Sequence, residues 1–339
     1  MPMLTPEKLI IAFKKLSEFI SDPDAEFKNL VLSAQNSNAW FTANEVEKAL
    51  RALHQMLNEE DLRIWFATIN QAVSHKKVGL ILAGNIPMVG FHDVLCVLAT
   101  GNIALIKLSS SDDKLLPALL DRLVKIEPLL ARHIVYTDRL KDFDAIIATG
   151  SNNTSRYFEY YFGKVPNIIR KNRNSVAVLT GNERPEDIAE LGHDLFDYFG
   201  LGCRNVSKLY IPEAYDIKHF FEPLEQFKDI ANHFKYNNNY DYNKSIYLVN
   251  GAQHYDNGFL LLREDTGLAS PLSVIYYERY QRLEDVVQIL KDQQENIQCV
   301  VSTADLKQYT PALGFGHSQH PRLWDYADNV DTASFLQSI

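Results

Sequence analysis

The chain has 339 residues, 46% of them hydrophobic and 23% charged, with a formal net charge of −9. That length exceeds what one hydrophobic core usually serves, so two domains are expected, and the composition is globular rather than disordered. The acidic balance argues against general nucleic-acid binding, and three cysteines with no CxxC pair exclude a disulfide framework and a structural zinc set and fit a reducing cytoplasm.

The opening MPMLTPEKLIIAFKKLSEFI places lysines and glutamates inside its apolar pattern, which predicts an amphipathic helix rather than a signal peptide. No apolar run reaches about 18 residues, so no membrane span is expected. Apolar residues at helical spacing continue through Leu9, Phe13 and Leu16 and through Val46, Leu50, Leu53, Met56 and Leu57. At Lys77 the pattern changes to alternation. Strands are predicted at 78–83, 103–107, 134–136, 145–148 and 168–169, with helices through Leu98, over 112–126 and up to Phe162. Short apolar strands alternating with helices imply parallel βαβ units and a doubly wound sheet. A strand at 175–179 closes this first half.

The second half repeats the alternation less cleanly. A helix is predicted over 184–198, then strands at 207–211 and around Tyr247, Leu260 and Val274, a helix at 283–290 and a strand at 298–302. The stretch 236–244, YNNNYDYNK, reads as a polar surface loop. Residues 314–339 lack periodicity until 332–336 and are expected to pack back on the body or onto a partner.

Candidate chemistry sits on turns. Cys203 lies between glycines and an apolar strand, on a turn where a thiol has room to react; the alternative is an inert core thiol. Asn85, in the turn after the 78–83 strand, can donate to a developing oxyanion or serve only the turn. Thr149-Gly150-Ser151 leaves a strand and opens a helix, so it can meet a phosphate or simply cap that helix. Lys107, ending a strand, can bond a ribose or phosphate or be solvated. Lys164, Arg170, Lys171 and Arg173 form a basic cluster, either a solvated edge or a contact for an anionic substrate. His193 and Asp194 read as surface residues, and His317 with His320 has no third metal ligand nearby in sequence. There is neither a GxGxxG nor a GxxxxGK[ST].

The order of these segments resembles the aldehyde dehydrogenase superfamily. ILAGNIP at 81–87 is similar to its Asn-Phe-Pro turn, LATGNIALIK at 98–107 to its "ALAAGNTVVLK" strand, ATGS at 148–151 to "FTGS", GLGC at 200–203 to its "GQ-C" nucleophile, and VVSTAD at 300–305 to "GVFTxD". Within it, the length and the C-terminal tail resemble the fatty acyl-CoA reductases of bacterial luminescence and their non-luminous relatives. The resemblance implies an α/β, aldehyde-dehydrogenase-like fold: two doubly wound, Rossmann-like domains with a helical N-terminal segment. Residues 1–180 would hold that segment and the nicotinamide-cofactor domain, 181–313 the catalytic domain, and 314–339 a segment that packs back or meets another subunit of an oligomer.

It further implies that Cys203 takes the acyl group, that Asn85 and the Cys203 N–H form the oxyanion hole, that Lys107 touches the adenosine ribose, and that Gly150 and Ser151 lie beside the pyrophosphate. Glu264 is a looser match to a glutamate on the nicotinamide ribose. Two departures matter. Where hydrolytic members carry Glu-Leu-Gly-Gly, this chain has Arg170-Lys171-Asn172-Arg173, so the general base that would hydrolyse an acyl-enzyme is missing. Three residues after Lys107, where NAD-preferring relatives often hold a glutamate, stands Ser110, which leaves room for a 2′-phosphate and tilts the cofactor to NADPH, with NADH still open. The implied reaction is reduction of a fatty acyl-CoA, or an acyl group from a donor protein, to aldehyde. A CoA-acylating aldehyde dehydrogenase, an acyl-phosphate reductase and a non-catalytic scaffold subunit are the alternatives.

Overall fold

The computed structural model describes residues 4–71, 75–306 and 312–339. The chain divides into two compact units, Met1–Asn172 with His320–Ile339, and Arg173–Gln319. The first unit begins with helices α1 (Pro6–Ser21), α2 (Ala25–Ser33), α3 (Ala43–Met56) and α4 (Glu59–Phe66). Each starts where a side chain takes an otherwise orphaned N–H: Thr5, Asp24, Thr42 and Asn58 accept from the backbone of Lys8, Phe27, Glu45 and Asp61. The apolar stripes through Leu9, Phe13 and Leu16 and through Val46, Leu50 and Leu57 are buried, which is why these segments hold as helices.

The alternating part follows: β1 (Lys77–Ile81), α5 (Phe91–Ala99), β2 (Ile103–Lys107), α6 (Leu115–Ile126), β3 (Ile134–Tyr136), β4 (Ala145–Thr149), α7 (Asn152–Phe162) and β5 (Asn167–Arg170). The strands form one parallel sheet in the order β3-β2-β1-β4-β5. Winding outward from β1 in both directions is the doubly wound pattern, with its switch point between β1 and β4.

The second unit contains β6 (Asn174–Val178), α8 (Pro185–Phe196), β7 (Val206–Pro212), α9 (Lys218–Leu224), α10 (Phe234–Val249), β8 (Tyr255–Asp256), β9 (Leu261–Glu264), β10 (Val274–Tyr280), α11 (Leu283–Asp292) and β11 (Ile297–Ser302). Its sheet runs β11-β6-β7-β10-β9-β8, parallel except for the short edge strand β8. Ala177, Leu209 and Ile211 pack with residues of α8 and α9, whereas Val176, Val178 and Tyr210 pack with residues of α11, so helices cover both faces. The fold is the α/β, doubly wound architecture that the alternation predicts.

Two expectations are corrected here. The 175–179 strand does not close the first half: as β6 it pairs with β7 and β11 in the second sheet. An apolar run identifies a strand but not its partners. Residues 236–244 are not a loop, nor is Tyr247 on a strand, because both lie in α10. Tyr236, Tyr240, Asn243 and Tyr247 are buried at spacings of four, three and four, a helical stripe built from polar residues. Three of them find partners: Tyr236 Oη donates to the Phe259 carbonyl (3.1 Å), Tyr240 Oη to Asp256 Oδ1 (2.6 Å) and Asn243 Nδ2 to the Leu272 carbonyl (2.9 Å).

Residues 320–339 return to the first unit and end in α12 (Thr332–Gln337). Trp65 Nε1 donates to Tyr326 Oη (2.8 Å), Arg322 pairs with Asp61 (2.9 Å), and Asn102 Nδ2 reaches the Leu336 carbonyl (3.4 Å). Among the described residues no helix is long and apolar enough to cross a membrane.

Candidate active site

In the first unit, parallel pairing aligns Ile81 of β1 with Lys107 of β2 and with Ala148 of β4. The loops leaving these strands therefore open on one edge, the carboxyl edge, where open α/β sheets hold ligands. Five predicted site residues are brought there: Asn85 after β1, Lys107 and Ser110 at and after β2, and Gly150 and Ser151 after β4. Asn85, Lys107, Ser110 and Ser151 are exposed.

The Asn85 turn is set from below by Asp112, which sequence reasoning missed. Asp112 Oδ2 accepts from Met88 N–H (2.7 Å), fixing Met88 in a left-handed conformation (φ 55°), while Oδ1 accepts from Leu116 N–H (3.3 Å). Burial pushes the Asp112 carboxyl up, and these backbone donors partly offset it. Gly84 is required by a close approach: a Cβ there would stand 2.5 Å from Ser109 Oγ of the neighbouring loop. Ser151 caps α7, accepting from Thr154 N–H (3.3 Å), and Gly150 N–H donates to the Arg170 carbonyl (3.3 Å). An ammonium, hydroxyls and a helix N-terminus at a switch point suit ribose and phosphate groups, so the residues present fit a dinucleotide.

In the second unit, Cys203 is exposed on the turn between α8 and β7, while Cys96 is buried. Three to five residues before it, Tyr198, Phe199 and Gly200 are all left-handed (φ 55°, 57° and 77°). For two bulky residues that conformation is strained. Burial of both side chains and the tilted packing of Phe199 against His233 (4.2 Å between ring centres) hold it in place. Asp194 is wholly buried rather than a surface residue: its carboxylate accepts from Gly316 N–H (2.7 Å) and Ser318 N–H (2.9 Å). A helix residue with polar neighbours in sequence gave no sign of those distant donors. Burial raises its carboxyl pKa, against these hydrogen bonds.

Ser175, Asn205 and Cys299 surround Cys203 and were also missed. Ser175 Oγ donates to the Cys203 carbonyl (2.9 Å) and lies 3.0 Å from Cys299 Sγ. Burial pushes the Cys299 thiol up to about 11 and the Cys96 thiol also upward. Treatment of the native protein with iodoacetamide should therefore label Cys203 first, with half-buried Cys299 much slower and buried Cys96 reacting only on unfolding, as read by peptide mass mapping. Comparable native labelling of Cys299 would contradict this environment.

Glu264 ends β9, accepts from Tyr277 Oη (3.5 Å) and pairs in register with Tyr277, itself paired with Leu209 of β7. It is thus two strands from β7 and level with its middle, and the structure does not gather it to the Cys203 turn. The following loop is held by Lys208, fully buried with its pKa lowered by that burial, which donates to the Asp265 carbonyl and to Glu278 (3.0 Å).

Of the basic cluster, Lys171 pairs at the surface with Glu159. Arg170 is not solvated: it is buried, with Nη1 2.5 Å from Asp93 Oδ2 and Nη2 donating to Thr332 Oγ1 (3.1 Å). A guanidinium is no base, and no carboxylate stands at 170–173. Among the described residues no group of three or more His, Cys, Asp or Glu is arranged to hold a metal ion.

No curated protein matches the chain. Solved structures share its fold at low identity. Aldehyde dehydrogenase 21 from Physcomitrella patens, in complex with the reaction product succinate, is 14% identical with a TM-score of 0.69 over 99% of this chain and 84% of that one. A Mycobacterium tuberculosis aldehyde dehydrogenase complexed with NAD+ is 13% identical, TM-score 0.62, over 94% and 76%. An E. coli NADP dependent enzyme is 14% identical, TM-score 0.63, over 90% and 75%. In sequence, residues 26–170 match the family model for acyl-CoA reductase (LuxC). The chain therefore has the aldehyde dehydrogenase fold and, over residues 26–170, the sequence pattern of the acyl-CoA reductase family.

Proposed function

We propose that this protein reduces a fatty acyl-CoA thioester to an aldehyde in the cytoplasm, through a covalent acyl-Cys203 intermediate and with NADPH, or NADH, as reductant. The observation that carries the reading is an exposed thiol on a strained turn of the aldehyde dehydrogenase fold, in a chain whose residues 26–170 match the acyl-CoA reductase model.

The Cys203 thiolate adds to the thioester carbonyl carbon, the C–S bond to CoA breaks, and CoA leaves with the electron pair. The Cys203 N–H and the Asn85 amide are the donors assigned to the tetrahedral oxyanion. The cofactor supplies a hydride. With that hydride and a proton the acyl-cysteine becomes a hemithioacetal, whose C–S bond breaks to release aldehyde and restore the thiol. Residues 170–173 offer water no base, so hydrolysis of the acyl-enzyme is disfavoured. Lys107, Ser110, Gly150 and Ser151 are the proposed cofactor contacts, and the missing carboxylate at Ser110 favours a 2′-phosphate. We assign no role to Glu264.

Intact-mass measurement after mixing with a long-chain acyl-CoA should show one acyl increment that NADPH discharges as aldehyde. Asn85→Ala should lower the acylation rate by roughly 10²–10³-fold while the melting temperature is unchanged. Adduct formation from acyl phosphate but not acyl-CoA would move the donor. No adduct from either would overturn the reading.

A further inference from the structure

The Cys203 turn is fixed at three successive peptides. Gly202 N–H donates to Asn205 Oδ1 (2.8 Å), and the Gly202 carbonyl accepts from Asn205 N–H (3.1 Å). The Cys203 carbonyl accepts from Ser175 Oγ (2.9 Å). In a trans peptide the N–H lies opposite the C=O, so the Cys203 N–H is turned to the side away from Asn205.

The two clamping side chains are themselves held. Asn205 Nδ2 spends both protons on the Asp194 (3.1 Å) and Asp197 (2.9 Å) carbonyls, which also fixes the orientation of its amide. Ser175 is fully buried, and its single hydroxyl proton goes to the Cys203 carbonyl. Toward Cys299, 3.0 Å away, Ser175 is therefore the acceptor and the thiol donates. A pKa of about 11 keeps that proton on Cys299 at neutral pH. The result is a relay from Cys299 S–H to Ser175 O–H to the Cys203 carbonyl.

We propose that Ser175 and Asn205, with Cys299 behind Ser175, are positioning residues that aim the Cys203 N–H at the thioester carbonyl and so set the rate of acyl transfer. The proposal rests on Cys203 being the nucleophile. An oxyanion donor must be held to within about 0.5 Å of its productive position, which a turn unable to rotate its peptides achieves. Alkylation by iodoacetamide is displacement at a saturated carbon and creates no oxyanion. It reports the thiolate and its access and is blind to the N–H.

The test is single-turnover acylation by acyl-CoA beside iodoacetamide alkylation of Cys203, in the full chain. Ser175→Ala should lower acylation by about 10- to 100-fold, the range for a slightly misplaced reacting group, with alkylation unchanged. Ser175→Thr, which keeps the hydroxyl, should restore most of the rate, and Cys299→Ala should fall between the two. Asn205→Ala should follow Ser175→Ala if it folds, but the conclusion does not depend on it. Acylation of Ser175→Ala at the wild-type rate would overturn the proposal, as would a parallel loss of acylation and alkylation. A wild type that is alkylated on Cys203 but never acylated would instead fail the reading on which the proposal rests.

Discussion

Replacing Cys203 with alanine should abolish the acyl adduct and lower aldehyde formation by about 10⁴-fold or more, because no other group in the turn can take the acyl chain and the steps after it have no substrate. Cys299 is the nearest rival and is poorly suited to the part: its thiol is pushed up to about 11 and donates to Ser175. Cys203→Ser should do little better than alanine, since a serine hydroxyl ionises far less readily than a thiol and is the weaker nucleophile without activation. The Cys203 side chain is exposed, so the fold should lose no more than about 0.5 kcal/mol and the loss of activity cannot be assigned to unfolding. Intact-mass measurement and aldehyde assay, with wild type alongside, read both outcomes. Equal acyl incorporation in the alanine variant would remove Cys203 from the mechanism.

The largest expected effect on stability lies at the buried pair Arg170–Asp93. Arg170 ends β5, Asp93 lies on α5, and Thr332 of α12 accepts from Nη2, while Arg170 Nε has no hydrogen-bond partner among the described residues. Asp93→Ala should cost about 3–5 kcal/mol by leaving the buried guanidinium without its paired carboxylate, read as a fall in the urea midpoint. The loss should be nearly independent of ionic strength, since a buried pair is little screened. Asp93→Ala combined with Arg170→Met should recover much of it, because an apolar pair leaves no orphaned charge. A single variant within about 1 kcal/mol of wild type would mean that water or another group reaches the guanidinium.

The first sheet was legible in the sequence because its strands are uninterrupted apolar runs, and β1, β2, β3 and β4 came out with edges shifted by no more than two residues. The residues on its carboxyl edge were legible for the same reason, since a turn after a recognisable strand has a known place. Hydropathy could not see α10, whose buried stripe is tyrosine and asparagine and depends on acceptors at Phe259, Asp256 and Leu272. Nor could it assign β6 to a sheet. Asn205, two residues after Cys203, carried a faint signal as a turn-forming amide. Ser175 and Cys299 carried none, because they meet Cys203 only through pairing of strands far apart in the chain.

The return of residues 320–339 to the first unit has a consequence for how the protein is made. The second unit is continuous in sequence, so everything it needs is free to fold once residue 319 has left the ribosome. The first unit has its sheet earlier, yet Trp65, Asn102 and Arg170 must wait for Tyr326, Leu336 and Thr332. During that interval Arg170 has Asp93 but not its hydroxyl. The proposed nucleotide-holding unit is thus begun before the nucleophile's unit and completed after it.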